Sequence, residues 1–396
     1  MIPMVRWPAI QTVLLLKDIK AAAGRLWRIV ALAALVAHLA SPAGADFASG
    51  DAAYRRGDFE AAFREMLPLA EKGDVRARHN LGVMYEKGQG VRQDHREAAK
   101  WYRLAAEQGF TPAQSNLGTL YAGGQGLPQN FAEAAGWYRQ AALRGDGGAA
   151  YNLGLLHVAG NGVTRDYAEA QMWFRQAAEQ GHVGAQTELG KLCEQGAASL
   201  EAARWYRLAA DGGDAEAQYR LGFLYDNGLG VPLDYGEAFG WYRRAALQGH
   251  TVAQYYLATL YANGQGTPQD LKEALRWFSA VARQGDVAAQ YRVGLMYGNG
   301  EGVSGEDFEE SAKWFRLAAE QGYAAAQYNL GLQYARGEGV LRDPVQALFW
   351  FSLAADQGDP EAQENKARLT KKMNARQITA AKRLLADRQP SKKQPE

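Results

Sequence analysis

From residue 77 onward the apolar positions follow a cycle. Ala77, Leu81 and Tyr85 stand at i, i+4 and i+8, a single stripe along a helix. The stripe stops at Gly88 and Gly90, residues that supply a left-handed cap and a turn. Asp94-His95-Arg96-Glu97 then opens a second helix, with an acceptor at the N-cap and Glu at the third helical position, the pattern of a capping box. Ala98, Trp101, Tyr102 and Ala105 form the buried face of that helix, and Gly109 ends it. The cycle runs eight times. Its clearest marks are Trp101, Trp137, Trp173, Trp205, Trp241, Trp277, Trp314 and Trp350, at intervals of 36, 36, 32, 36, 36, 37 and 36 residues. Two helices per period of this size predict an all-α solenoid of helix-turn-helix units, each burying its face against its neighbours.

Details of the period carry structural expectations. Gly82 returns as Gly118, Gly154, Gly190, Gly222, Gly294 and Gly331, with Ala258 in the sixth repeat. Glycine inside a helix costs about 1 kcal/mol, so its recurrence implies an approach too close for a side chain. Asp146, Asp214, Asp286 and Asp359 each precede a first helix as cap. Residues 46–76 read as a leading helix pair without the glycine loop or the tryptophan, as expected of a capping unit. Repeats occupy 77–361, capping helices 362–386, and a basic disordered tail 387–396. The fourth repeat is four residues short, because Gly196 leads almost directly to Glu201. That loss removes the Gly-x-Gly-Val plug, and we expect residues 194–200 to be a weak joint between two halves.

Leu-Gly, Gly-x-Gly-Val, Glu-Ala and Trp-Tyr-Arg-x-Ala-Ala, repeated in register, resemble the signature of Sel1-like repeats, relatives of the tetratricopeptide repeat with a longer inter-helix loop. The resemblance covers residues 77–361 and implies a right-handed α/α superhelix that scaffolds protein complexes. It also implies, for exported bacterial members, work in envelope regulation, envelope assembly or host contact.

Charge and chemistry narrow the function. The net charge of +1 is unevenly spread, with five basic residues against one acidic in 1–45 and ten against three in 362–396. The repeats between are acidic, which argues against nucleic acid as partner. Arg25 and Arg28 precede an apolar run from Ile29 to Ala40, followed by Ala43-Gly44-Ala45. This is the pattern of a signal peptide over 1–45 with cleavage after Ala45, predicting a periplasmic or secreted protein. The run is too short to span a bilayer, so no integral membrane segment is expected after cleavage. The long stretch before Arg25 leaves an uncleaved anchor open. Cys193, the one cysteine, holds the slot of Tyr85 and is expected to be a packed core residue. Glu97, Glu133 and Glu169 are assigned to capping rather than catalysis. The glycine pairs follow no strand and form no phosphate loop, and the histidines have no metal-ligand spacing. No catalytic residue, metal or cofactor is expected. A cysteine-rich branch of the same family has been linked to β-lactam hydrolysis. The chain has neither that branch's paired cysteines nor Ser-x-x-Lys, so a β-lactamase-like hydrolase is disfavoured.

Binding is expected off the core stripe of the first helices, which line the concave face in stacked α-hairpins. The position of His79 reads Ser115, Tyr151, Thr187, Tyr219, Tyr255, Tyr291 and Tyr328 down the array. Beside it, Phe223, Leu295 and Leu332 are apolar. Aromatic rings give large contact area at low entropy cost. Tyr219, Phe223, Tyr255, Tyr291, Leu295, Tyr328 and Leu332 are therefore the expected surface for a protein partner, with a glycan or peptidoglycan as the alternative ligand. Inter-repeat packing without a ligand is the competing structural reading of the same rings.

Overall fold

A computed structural model of the chain describes residues 46–388. The expected leader, with its cleavage site after Ala45, and tail residues 389–396 lie outside the described residues. The described chain is helical throughout and forms two compact bodies that divide between Asp166 and Tyr167. The first body holds α1 (Phe47–Arg55) and α2 (Phe59–Glu71), the leading pair. It continues with α3 (Val75–Lys87) and α4 (His95–Ala106) of repeat one, α5 (Thr111–Gly123) and α6 (Phe131–Ala142) of repeat two, and α7 (Gly147–Ala159) of repeat three.

The second body begins with α8 (Tyr167–Glu179). Repeat four is α9 (Val183–Gln195) and α10 (Ser199–Asp211), and repeat five is α11 (Ala215–Asn227) and α12 (Tyr235–Leu247). Repeat six is α13 (Thr251–Asn263) and α14 (Leu271–Arg283), and repeat seven is α15 (Val287–Asn299) and α16 (Phe308–Glu320). Repeat eight is α17 (Ala324–Arg336) and α18 (Pro344–Asp356), and α19 (Pro360–Thr370) and α20 (Ala375–Arg388) follow. Within each body consecutive helices pack in pairs, and α20 returns onto α18, where Leu384 and Leu385 cover Phe349 and Trp350. The last helix thus runs through Arg388, past the expected start of the tail. No helix among the described residues is long and apolar enough to cross a membrane.

The recurrent helix glycine meets a ring rather than a helix backbone. A Cβ on Gly82 would lie 2.5 Å from the Tyr102 ring, one on Gly190 2.5 Å from Tyr206, and one on Gly331 2.7 Å from Phe351. These rings, one residue after each tryptophan, are the deepest large side chains: Tyr102, Tyr206 and Tyr242 are fully buried. The tryptophans sit nearer the boundaries between repeats, with Trp101 in the cluster of α2 and α3 and Trp277 against the cores of repeats five and six.

The two glycines of each loop divide their labour. Gly88 ends α3 in the left-handed region, at φ 68°. Gly90 presses the loop onto the first turn of the preceding repeat's second helix, where a Cβ would meet the Phe59 carbonyl at 2.3 Å. Gly230 does the same over Ser199, and Gly339 over Phe308.

The capping motif is only half formed. Asp94, Asp234 and Asp270 accept the backbone N–H groups of the following residues as expected. The reciprocal bond from Glu to the N-cap amide is absent, because the carbonyl of Tyr85, Tyr225 or Tyr261 already accepts from that amide at 2.9–3.0 Å. The glutamates are left for other work. Glu201 and Glu237 accept from the indole Nε1 of Trp205 (3.4 Å) and Trp241 (2.9 Å), and Glu201 also pairs with Arg175 at 2.8 Å. Capping therefore does not account fully for these residues: Glu201 and Glu237 tie their tryptophans in place, while Glu97 pairs with Lys100 and leaves the Trp101 indole N–H without a partner.

The shortened loop lies inside the second body, and α9 packs on α10 as the other pairs do. The division of the chain falls elsewhere than at the expected joint. The loop is nonetheless locally unusual: Ala197 adopts φ 59°, and Ala198 caps α10 without a side-chain hydrogen bond.

Candidate functional site

All seven expected surface residues lie in the second body, on the first helices of repeats five to eight, and all are half-buried. The tyrosines lean on the aromatic residue that covers the helix glycine of their own repeat, or Ala258 in repeat six. Tyr219 stacks on Tyr242 with ring centroids 6.1 Å apart. Tyr255 meets Phe278 edge-on at 5.2 Å, Tyr291 meets Phe315 at 5.7 Å, and Tyr328 meets Phe351 at 5.9 Å. The residue ahead of the next first helix adds a second wall in two places: His250 stacks on Tyr219 at 4.8 Å, and Tyr323 lies 5.1 Å from Tyr291. Packing within each repeat, joined in places by the residue ahead of the next, therefore takes part of each ring and leaves the rest open. Burial pushes the phenols of Tyr219, Tyr255 and Tyr291 above their ordinary value, so they remain neutral. Asn329 and Asn365, each from the following first helix, donate to the hydroxyls of Tyr291 and Tyr328 at 3.5 and 3.3 Å.

The neighbouring position along these helices carries residues that the sequence reading passed over. It holds Asn80, Asn116 and Asn152 in the first three repeats, then Glu188, Arg220, Tyr256, Arg292 and Asn329. Tyr256 stacks on Tyr242 at 5.3 Å and closes an aromatic cluster with Tyr219 and Phe223. Arg220 pairs with Glu216 at 2.6 Å and Glu194 at 3.0 Å. The imidazole Nδ1 of His250 accepts the Ala253 N–H, so its proton resides on Nε2, which donates to Glu216 at 3.0 Å. That hydrogen bond, with those from Arg220, holds the Glu216 carboxyl at about 2 against the opposing effect of burial. Arg292 differs. It is exposed, lies over the Phe278 ring at 5.9 Å, and has no carboxylate partner among the described residues. The face is thus charge-compensated at repeats four and five, and aromatic with one unpaired cation at repeats six to eight. The departure of this position from asparagine was the available signal.

Leu295 and Leu332 border a cavity of about 160 Å3. Ser311 and Gln333 line it where the corresponding residues elsewhere are Ala98 and Met84 or Leu120. Ser311 donates its hydroxyl proton to the Gly294 carbonyl at 2.8 Å and accepts from Gln333 Nε2 at 3.0 Å. The buried Gln333 Oε1 has no partner.

Cys193 is 3% exposed, and burial followed by the Glu201 charge raises its thiol, so it is a core residue. Among the described residues no group of His, Cys, Asp and Glu could hold a metal ion.

Comparison with known proteins matches this architecture. The Sel1 repeat model matches at residues 75–110, 111–146, 148–182, 183–214, 215–250, 251–286, 287–323 and 324–359. A Sel1 repeat protein from Oxalobacter formigenes is 32% identical over 77% of this chain and 89% of its own, with a TM-score of 0.57. The uropathogenic Escherichia coli protein c5321, described as a protective antigen with an SLR fold, is 33% identical over 82% of this chain and 86% of its own, with a TM-score of 0.46. No curated protein matches the chain. The matched repeats cover most of the sequence and every helix pair from α3 to α18, and the chain belongs to the Sel1 repeat family.

Proposed function

We propose that this protein is a non-catalytic scaffold that receives a protein partner along the first-helix face of repeats five to eight, and that it works in the bacterial envelope after export. One observation carries the binding site. Four tyrosines in register, Tyr219, Tyr255, Tyr291 and Tyr328, are each braced by a ring of their own repeat yet remain partly open. Braced aromatics lose little entropy on binding, which suits a contact surface. Arg292 beside Tyr255 and Tyr291 adds an unpaired cation for a carboxylate of the partner. Family membership supports the scaffold reading, since repeats of this kind generally mediate protein–protein contacts. The leader pattern over residues 25–45 supports export.

Affinity capture from native envelope, compared between wild type, Tyr255→Ala/Tyr291→Ala and Arg292→Glu, tests the site. A partner retained by wild type and lost by both variants at unchanged helicity supports it. If the tyrosine pair unfolds the body and Arg292→Glu still captures, those rings serve packing alone. Amino-terminal sequencing of the mature protein tests export, with Asp46 the expected first residue.

A further inference from the structure

The repeats serve as an internal reference for one another, and repeats four and five break it at one place. In repeats one, two and six the inter-helix loop carries paired glutamines: Gln89 and Gln93, Gln125 and Gln129, Gln265 and Gln269. Repeat five has Leu229 and Leu233 there, 43% and 56% exposed. On α10, Leu200 and Leu208 are 57% and 51% exposed, and Leu200 stands where repeats one and six have Arg96 and Lys272. The pieces meet in space, because the loop at Gly230 rests on the backbone of Ser199 and Leu200. Leucines scattered singly need no explanation, whereas Leu229 and Leu233, at loop positions that are polar in the other full-length repeats, gathered beside the exposed Leu200 and Leu208, do.

The shortened loop opens the ground beside them. Without the glycine plug, a cleft of about 630 Å3 lies along α10, walled by Trp205, Arg175 and Glu201. A second cleft, of about 400 Å3, flanks the same helix on the side of Tyr225 and Val231. Leu200, Arg204 and Leu208 border both, at i, i+4 and i+8 of α10, so they form a ridge between two grooves. Arginine dominates the charge. Arg175 is paired with Glu201 and Arg207 reaches Tyr225 and Glu237, while Arg204 has no ion pair among the described residues.

We propose that this leucine ridge is a second docking site, distinct from the tyrosine face, for an acidic amphipathic helix of a partner protein. A helix offers apolar side chains at i, i+3, i+4 and i+7, a spacing that straddles a ridge and fills the grooves on either side. The unpaired Arg204 selects for carboxylates at the margin of that apolar stripe. A second copy of this chain is a poorer occupant, because two-fold pairing of the face would set its arginines against one another.

The test uses the full chain and a synthetic helical peptide of about eighteen residues, with leucines on one stripe and glutamates flanking it, beside a version with lysine for glutamate. Leu229→Gln/Leu233→Gln gives repeat five the loop residues of repeats one, two and six, so it keeps the fold, as circular dichroism will verify. Wild type binds the acidic peptide and not the basic one. The double variant and Arg204→Glu each weaken binding by at least about tenfold, and Arg204→Glu gains affinity for the basic peptide. Equal binding of both peptides, no binding, or affinity untouched by the loop variant overturns the proposal. Sedimentation showing a dimer that the loop variant abolishes also overturns it, in favour of self-association. None of these results bears on Tyr255, Tyr291 or Arg292, so the two sites stand or fall separately.

Discussion

Gln290, in the first helix of repeat seven, donates its amide proton at 3.2 Å to the carbonyl of Ala282, in the last turn of the preceding repeat's second helix. The same bond joins Gln114 to Ala106, Gln186 to Ala178, Gln218 to Ala210, Gln254 to Ala246 and Gln327 to Ala319, each at 3.1 Å. Carbonyls of a helix's last turn lack an i+4 donor within the helix; here the Gly285 N–H reaches the Ala282 carbonyl at 3.0 Å, and the next repeat's glutamine adds a second donor. The Gln290 side-chain oxygen accepts in turn from Gln321 at 2.8 Å, so a polar ladder passes between repeats beside the apolar core. Gln290 is 4% exposed, and water cannot readily replace the bond.

Gln290→Leu is therefore expected to cost about 1 kcal/mol, the net worth of one buried hydrogen bond, because the Ala282 carbonyl keeps the Gly285 N–H at 3.0 Å. Hydrogen exchange should quicken first at the end of α14 and the start of α15. Exchange rates unchanged there would show that the bond contributes nothing net.

Trp241→Ala should cost about 3–5 kcal/mol at the middle of the array. The indole is 4% exposed, donates to Glu237, and has the guanidinium groups of Arg207 and Arg244 over its ring at 5.0 and 4.3 Å. In a linear array the loss stays with nearest neighbours, so repeats four to six should exchange faster while the ends hold. A uniform response across all repeats would contradict nearest-neighbour coupling.

Ser311→Ala with Gln333→Leu restores the residue types that the other repeats place at these two positions and removes the unpartnered Gln333 oxygen. We expect stabilisation of about 1 kcal/mol or more, read as a raised Tm. A fall in Tm would mean that the polar pair stabilises the boundary between repeats seven and eight.

Ala197→Gly should stabilise by up to about 1 kcal/mol, because the backbone at φ 59° favours glycine. Limited proteolysis of wild type is expected to nick residues 194–200 before the loop at 228–234, and the glycine variant to slow that nick. Equal cleavage of the two loops would show the short loop to be no weaker than the rest.

Acid should reveal Glu216. Its carboxyl is depressed from an ordinary 4.5 to about 2, first by the hydrogen bond from His250 and then by Arg220. A depressed carboxyl contributes stability above its unfolded value and loses it as pH falls, so the loss runs from about 4.5 down through about 2. Wild type should therefore lose stability more steeply than Glu216→Gln across that window in denaturant titrations. Parallel curves would remove Glu216 from the acid response.

The local elements were legible in the residues, because each depends on neighbours in sequence. The period of Trp101 to Trp350, the Asp94-type caps and the Gly88-type stops encode helix, turn and helix without reference to the rest of the chain. So was the presence of a close approach at Gly82, although the ring of Tyr102 was not identifiable as its cause. The tyrosine positions could be read from the register, but how much of each ring the packing takes could not. That depends on Phe278, Phe315 and Tyr323, which reach Tyr255 and Tyr291 only after helices stack. The glutamates show the same limit. Glu237 fits a capping box by spacing, yet the Tyr225 carbonyl takes the N-cap amide first and leaves Glu237 to Trp241. The glutamine at Gln290 is plain in the repeat consensus and silent about its role, since its partner belongs to another helix. Sequence alone determined where helices start, stop and recur, because propensity and capping act over a few residues. Tertiary structure decided which polar group meets which, because those partners are brought together only by the stacking of one repeat on the next.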